Sequence, residues 1–262
     1  MHNNLRQLRQ LRQQASFLAG RAFLRWRWLR RLAGLFPGRT APQLSHLRFF
    51  KEEAACGPIQ RDEALLLFAL VRVLRPRVVV ELGFHRGHSA LNFLLALPPD
   101  AELHSYDITE SAAQIASQLF GGTPKLHYHH KSQESFTPAD VGGKEIDLVL
   151  FDAAHDLALN VATFEKMRAC LAPRAVVAVH DTGTWRRACM GPEHLAWAAE
   201  RPAGWLSAED YAPWDEERRF VNWLRDTHPE LAQLHLHSDR TLRHGLTLLQ
   251  ASGRLATVAG TA

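Results

Sequence analysis

Acidic residues are absent from the first fifty positions, which hold ten Arg and neither Asp, Glu nor Lys. The formal net charge of +4 therefore misleads. Residues 51–262 contain 21 of the 31 basic residues and all 27 acids, a balance of −6. A nucleic-acid-binding surface spread over that mildly acidic body is not expected. Cysteine is also scarce. Cys56, Cys170 and Cys189 form no C-x-x-C pair, and an odd count suits free thiols in a reducing compartment. No apolar run reaches the roughly 20 residues that cross a bilayer. The start lacks a basic head followed by an unbroken apolar segment, so no secretory signal is expected. No internal repeat is visible, and the expected location is cytoplasmic. A G-x-G-x-x-G turn, the mark of dinucleotide binding, is missing as well. So are an Asn/Asp-Pro-Pro-Tyr stretch and a Pro-Cys pair.

With 262 residues, 46% of them hydrophobic, the chain can bury one good-sized core. Its central stretch is Val78-Val79-Val80-Glu81-Leu82-Gly83-Phe84-His85-Arg86-Gly87-His88-Ser89. Three β-branched residues in a row read as a buried parallel strand. Glu81 closes that strand, Gly83 and Gly87 bracket a turn, and Ser89 begins an apolar helical run. Such a unit leaves bare backbone and a helix N-terminus facing a ligand crevice. A Cβ at Gly83 is expected to block a ligand lying across the turn. A carboxylate at the strand end suits a cationic ligand better than a pyrophosphate.

A helix over 60–74 leads into this unit. A second strand follows at Ala101–Ser105, ending in Tyr106-Asp107. Asp107 lies about 20 residues beyond the turn, where an acid accepts hydrogen bonds from ribose hydroxyls; alternatively it caps the helix that starts near Glu110. Strand Lys125–His130 precedes Ser132-Gln133. Ile146–Phe151 is an apolar strand ending at Asp152, with His155 at the corner before a helix over 156–171. Val176–Val179 repeats the layout and ends in His180-Asp181. Asp152, His155, His180 and Asp181 therefore converge at one sheet edge. A helix over 216–226 and strands 234–237 and 245–249 finish the fold, with a short helix around Leu47–Glu53 near its start.

Glu81-Leu82-Gly83 with Gly87 and Ser89 resembles the first motif of class I S-adenosylmethionine (SAM) methyltransferases, in the form used by catechol- and caffeoyl-type O-methyltransferases. The resemblance covers about residues 57–250. It implies an α/β fold: a Rossmann-like, doubly wound, seven-stranded sheet, mostly parallel with an antiparallel C-terminal hairpin. It implies SAM as cofactor, with Glu81, Gly83, His85, Gly87, Ser89, Asp107, Ser132, Gln133 and Asp152 as its contacts. Ser132 and Gln133 would lie beside the adenine. His155, three residues after the fourth-strand Asp, matches the general base, and imidazole suits that task near neutrality. A divalent ion would take Asp152, His180 and Asp181. The resembled enzymes have Asp-Asn where this chain has His-Asp. Oxygen-rich sites suit Mg²⁺, whereas an imidazole favours Mn²⁺, Fe²⁺ or Zn²⁺. On the residues alone, His180 also reads as a hydrogen-bonded wall residue and Asp181 as a turn cap. The acceptor is expected to be a small-molecule or glycan hydroxyl. A metal-dependent hydroxylase or oxidoreductase, and a SAM-binding module without catalysis, remain as alternatives.

Two appendages fall outside the resemblance. Residues 1–40 form an Arg-rich arm whose Leu5, Leu8, Leu11, Ala15, Leu18, Ala22, Leu29 and Leu32 follow a three-to-four spacing. They predict a basic amphipathic helix. It fits self-association or a partner, an anionic membrane surface reached through Trp26 and Trp28, or a targeting peptide short of Ser. The rest, 41–262, is read as one methyltransferase domain. Its aperiodic insertion at 184–214 carries Trp185, Trp197, Trp205 and Trp214. That insertion is read as a substrate lid or as a segment anchored to the body by its Trp residues.

Overall fold

The computed structural model describes residues 46–47, 59–182, 184–186, 211–213, 215–236 and 245–251. The arm at 1–40, most of the short helix expected around 47–53 and the middle of the insertion lie outside these residues. Among the described residues, no helix is long and apolar enough to cross a membrane.

Helix α1 (Arg61–Leu74) leads to β1 (Val78–Leu82) and α2 (His88–Ala96), then to β2 (Glu102–Asp107) and α3 (Glu110–Phe120). After β3 (Leu126–His130) and β4 (Ile146–Phe151) come α4 (Leu157–Arg168) and β5 (Leu171–Val179). The short β6 (Thr184–Arg186) and β7 (Tyr211–Pro213) precede α5 (Asp215–Thr227), β8 (Leu231–Leu236) and β9 (Leu246–Ala251). Seven strands form one sheet in the order β3-β2-β1-β4-β5-β9-β8. β1 to β5 are parallel, and β9 runs antiparallel between β5 and β8. This is the seven-stranded, Rossmann-like sheet expected from the motif.

Valines explain the centre. Val78, Val79 and Val80 are at most 2% exposed, as an inner strand covered on both faces requires. One layer of core packs Val79, Leu103 and Leu148 against Leu67 and Val71 of α1 and Phe93 of α2. The other packs Val80, Val149 and Val177 against Phe164 of α4 and Phe220 and Leu224 of α5. The strand order turns back between β1 and β4. Their carboxyl ends therefore splay and open a crevice there.

Three boundaries move from expectation. α2 starts at His88, with Gly87 as its left-handed N-cap (φ 72°), so Ser89 lies inside the first turn. α4 stops at Arg168, because Leu171 already pairs with Ile146 as the first residue of β5. The β4–β5 register shifts between Ile146 and Leu148; Pro173, which has no N–H to donate, lies in the irregular stretch. β8 begins at Leu231, three residues earlier than its alternation suggests. The insertion also has an ordered base, since Thr184↔Pro213, Trp185↔Ala212 and Arg186↔Tyr211 pair antiparallel.

Gly83 is required by the fold itself, before any ligand is considered. Its φ is +102°, and a Cβ there would lie 2.1 Å from the backbone carbonyl oxygen of Asp152. The neighbouring strand end forbids a side chain, whether or not ligand is bound. Gly83→Ala is expected to destabilise by at least ~3 kcal/mol, a fall of roughly 6–12 °C in Tm. A thermal melt within about 2 °C of wild type would refute this.

Candidate active site

The crevice is a cavity of about 530 Å³ above the ends of β1, β2 and β4. Gly83, Phe84, His85, Arg86, His88 and Ser89 line it from the β1–α2 turn, and Asp107 with Ile108 from the end of β2. Lys131, Ser132 and Gln133 line it from the end of β3; Asp152 to His155, together with Asp181, close the far side. Of the residues singled out in the sequence, Glu81, Gly87 and His180 do not line it. They stand directly behind residues that do.

The turn holds itself in shape. His85 has φ 47°, unusual for a residue with a side chain, and its backbone N–H donates to Asp107 Oδ2 at 2.7 Å. Burial, reinforced by the Arg86 charge, pushes the His85 imidazole below its ordinary pKa. The other Asp107 oxygen accepts from the Thr109 N–H and hydroxyl, both at 2.8 Å. Asp107 is not the helix cap that the sequence allows: Thr109 caps α3, accepting from the Ala112 N–H. With Oδ1 taking two donors and Oδ2 one, a lone pair remains on Oδ2 for a further donor.

Beneath the turn, Glu81 is fully buried. It accepts a hydrogen bond from the Ser105 hydroxyl through Oε2, while Oε1 has no partner among the described residues. Burial pushes its pKa up to about 8, even though hydrogen bonds from Ser105 and Ser89 pull the other way. Gln133 is buried too. Its amide nitrogen donates to Asn160 Oδ1 (2.9 Å) and Thr163 Oγ1 (3.1 Å) on α4, whereas its Oε1 has no partner there. Gln133 Oε1 is an acceptor in search of a donor, and so is Glu81 Oε1 once that carboxyl is ionised.

Two carboxylates that the sequence did not single out contact the histidines of the far side, Glu217 at His155 and Glu63 at His180. Phe220, Val221 and Leu224 bury one face of α5 against the sheet, and Glu217 lies one turn before Phe220 on that face. Its Oε1 is in hydrogen-bond contact with His155 Nδ1. A carboxylate at Nδ1 holds the proton there and leaves the lone pair on Nε2. Glu63, from the first turn of α1, caps that helix through the Gln60 N–H (2.9 Å) and meets His180 Nε2 at 2.8 Å. His180 Nδ1 lies 2.9 Å from Asp152 Oδ1 and 3.5 Å from Asp181 Oδ1. Burial works against charge on His180. The carboxylates of Asp152, Glu63 and Asp181 outweigh it and hold the pKa well above the ordinary value. Burial in turn raises the Asp152 pKa, partly offset by His180. Asp181 sits at φ 58°, a second strained residue at the cavity. Glu63 was discoverable from the Gln60-x-x-Glu63 capping box, although nothing in the sequence ties it to His180.

A family model described as a methyltransferase domain matches residues 80–182. Solved structures share the fold. The O-methyltransferase TomG of tomaymycin synthesis from Streptomyces achromogenes, in complex with SAM, is 20% identical over 87% of this chain and 98% of that one, with a TM-score of 0.54. A protein assigned as a caffeoyl-CoA O-methyltransferase from Staphylococcus aureus is 17% identical over 86% and 97%, with a TM-score of 0.57. An O-methyltransferase from Bacillus cereus, in complex with S-adenosylhomocysteine, is 14% identical over 86% and 98%, with a TM-score of 0.54. Identities this low speak for the fold. Residues 80–182 thus match a methyltransferase domain, and the fold that carries them is the one these SAM-type O-methyltransferase structures share.

Proposed function

We propose that the chain methylates a hydroxyl oxygen of a small-molecule or glycan acceptor, with His155 as the general base. The observation that carries this is the contact of Glu217 with Nδ1 of His155 at the cavity wall; a carboxylate there favours the proton on Nδ1 and so leaves a lone pair on Nε2.

SAM supplies an electrophilic methyl on a sulfonium centre, so the protein has mainly to align the acceptor and remove its proton. Glu81 and the Gly83–Ser89 turn suit the amino-acid end of that cofactor, with a buried carboxyl for its ammonium. The remaining lone pair of Asp107 suits a ribose hydroxyl, and the orphaned Oε1 of Gln133 suits an exocyclic amino group. Ile108, 68% exposed at the rim, offers an apolar face for a base. His155 takes the hydroxyl proton on Nε2 as the oxygen attacks, and Glu217 stabilises the imidazolium that forms.

The residues at the far side also fit a divalent cation. Nδ1 of His180 and carboxylate oxygens of Asp152 and Asp181 lie within 4.8 Å of one another. Glu63 on the opposite ring nitrogen orients the imidazole as carboxylates do behind metal-bound histidines. Three carboxylates around one imidazole leave excess negative charge, which an ion in place of the Nδ1 proton would balance. These residues would hold it, and it would supply Lewis-acid polarisation of the acceptor oxygen. EDTA is expected to lower turnover at least ~10-fold, with Mn²⁺ restoring it; full activity after exhaustive chelation would remove the ion from the reaction.

The proposal as a whole is tested by incubating the full chain with SAM and a panel of catechols, hydroxylated aromatics and free sugars. S-adenosylhomocysteine should form only with hydroxyl acceptors. Equal turnover with amines alone would overturn the oxygen assignment.

A further inference from the structure

On the face of β2 and β3 turned from α1 and α2, a second set of metal-ligand side chains converges outside the cavity. The parallel register pairs His104 with His127 and Tyr106 with His129. The rings stack: His104 on His127 at 4.7 Å, His104 on His129 at 5.4 Å and Tyr106 on His129 at 4.5 Å, all within 17° of parallel. Glu102 lies two residues before His104, on the same face. Ligand atoms of Glu102, His104 and His127 come within 4.8 Å of one another.

The decisive observation is His104. It is 3% exposed, and its Nε2 is buried with no hydrogen-bond partner among the described residues. The closest carboxylate oxygen, Glu102 Oε2, is 3.5 Å away, beyond a good hydrogen bond. Nδ1 is engaged, 3.1 Å from Nε2 of His129. When Nδ1 donates to His129, Nε2 carries the lone pair, and it lies within 4.8 Å of ligand atoms of Glu102 and His127. A lone pair and a carboxylate aimed at the same space repel each other unless a cation sits between them.

We propose that Glu102, His104 and His127 bind a zinc-class divalent cation, with His129 as the partner that fixes the His104 tautomer. Two imidazoles and one carboxylate select Zn²⁺, Cu²⁺ or Ni²⁺ over Mg²⁺, and three protein ligands leave a position for water. The exposed His127 opens the site to solvent. β3 is the edge of the sheet, so such an ion pins that edge to β2. The Lys131–Gln133 wall of the cavity continues directly from the pinned strand. Lys144 competes for the carboxylate, since its ammonium donates to both Glu102 oxygens at 2.6 and 2.7 Å.

The test is equilibrium dialysis of the full chain against low-micromolar Zn²⁺ with metal counted per protein, because the Asp152–His180–Asp181 cluster could hold a separate equivalent. His127→Ala, at an exposed edge position away from the cavity, should bind one equivalent fewer than wild type and keep its melting temperature in the absence of metal. Lys144→Ala should bind that equivalent at least threefold more tightly. With Co²⁺ as probe, a visible absorption band should appear in wild type and weaken in H127A. Equal zinc stoichiometry in wild type and H127A would overturn the site, as would a wild type that binds no zinc. Unaltered affinity in K144A would remove Glu102 from the ligand set.

Discussion

His155→Ala should reduce turnover by about 10²–10⁴-fold, the range expected for loss of a general base, while SAM affinity shifts less than about threefold. The asymmetry follows from position. The residues suited to the cofactor come from the β1–α2 turn and the ends of β2 and β3, whereas His155 follows β4 and leans on α5 through Glu217. Isothermal titration with SAM and single-turnover methyl transfer separate the two quantities. Glu217→Gln keeps the size of the side chain and removes its charge. It should lower kcat by roughly tenfold and leave SAM affinity unchanged, because a neutral amide stabilises the developing imidazolium less well. Alanine at 155 with turnover within threefold of wild type would take the base role away from His155. A loss of SAM binding equal to the loss in turnover would instead show that the residue supports the cofactor.

The strand ends were legible because their signals are local. Three valines followed by Glu-Leu-Gly mark β1 and its turn; an apolar run stopped by Asp marks β4, and the same pattern marks β5. Alternation and register then bring the tips together without further information. Contacts that depend on distant elements were not legible. Glu217 meets a residue 62 positions away and Glu63 one 117 away. Each stands at helical spacing from buried apolar residues, Glu63 from Leu67 and Glu217 from Phe220 and Val221, yet nothing local names the histidine it meets. Gly83 shows the complementary failure. Its need for glycine was visible, but the neighbour enforcing it, the carbonyl of Asp152, appears only once β1 and β4 are paired. For His180, wall residue and metal ligand remain compatible in the fold, because one imidazole can be held by Glu63 on one nitrogen and still present the other to Asp152 and Asp181.

Cofactor binding should release a proton, and Glu81 is the group that supplies it. With its pKa pushed up to about 8 by burial, the carboxyl is mostly protonated at neutral pH. A cationic ammonium delivered to the turn favours the carboxylate, so binding and deprotonation are linked. Apparent SAM affinity is expected to rise with pH through the neutral range and to level off above about 8. Titrations in two buffers of different ionisation heat should report proton release near pH 7. Glu81→Gln removes both the charge and the slope. Losing a charge-assisted hydrogen bond of about 2–3 kcal/mol corresponds to roughly 30–160-fold weaker binding above pH 8. Without ligand the sign is opposite. The folded-state pKa lies above the ordinary 4.5, so the folded protein keeps a proton that the unfolded chain releases. Glu81 therefore favours folding fully below pH 4.5, and that contribution is lost as pH rises through about 8. The E81Q protein should lose less stability over this interval than wild type does. SAM affinity that is flat between pH 6 and 8, with no buffer dependence of the binding heat, would show that the ammonium is received elsewhere.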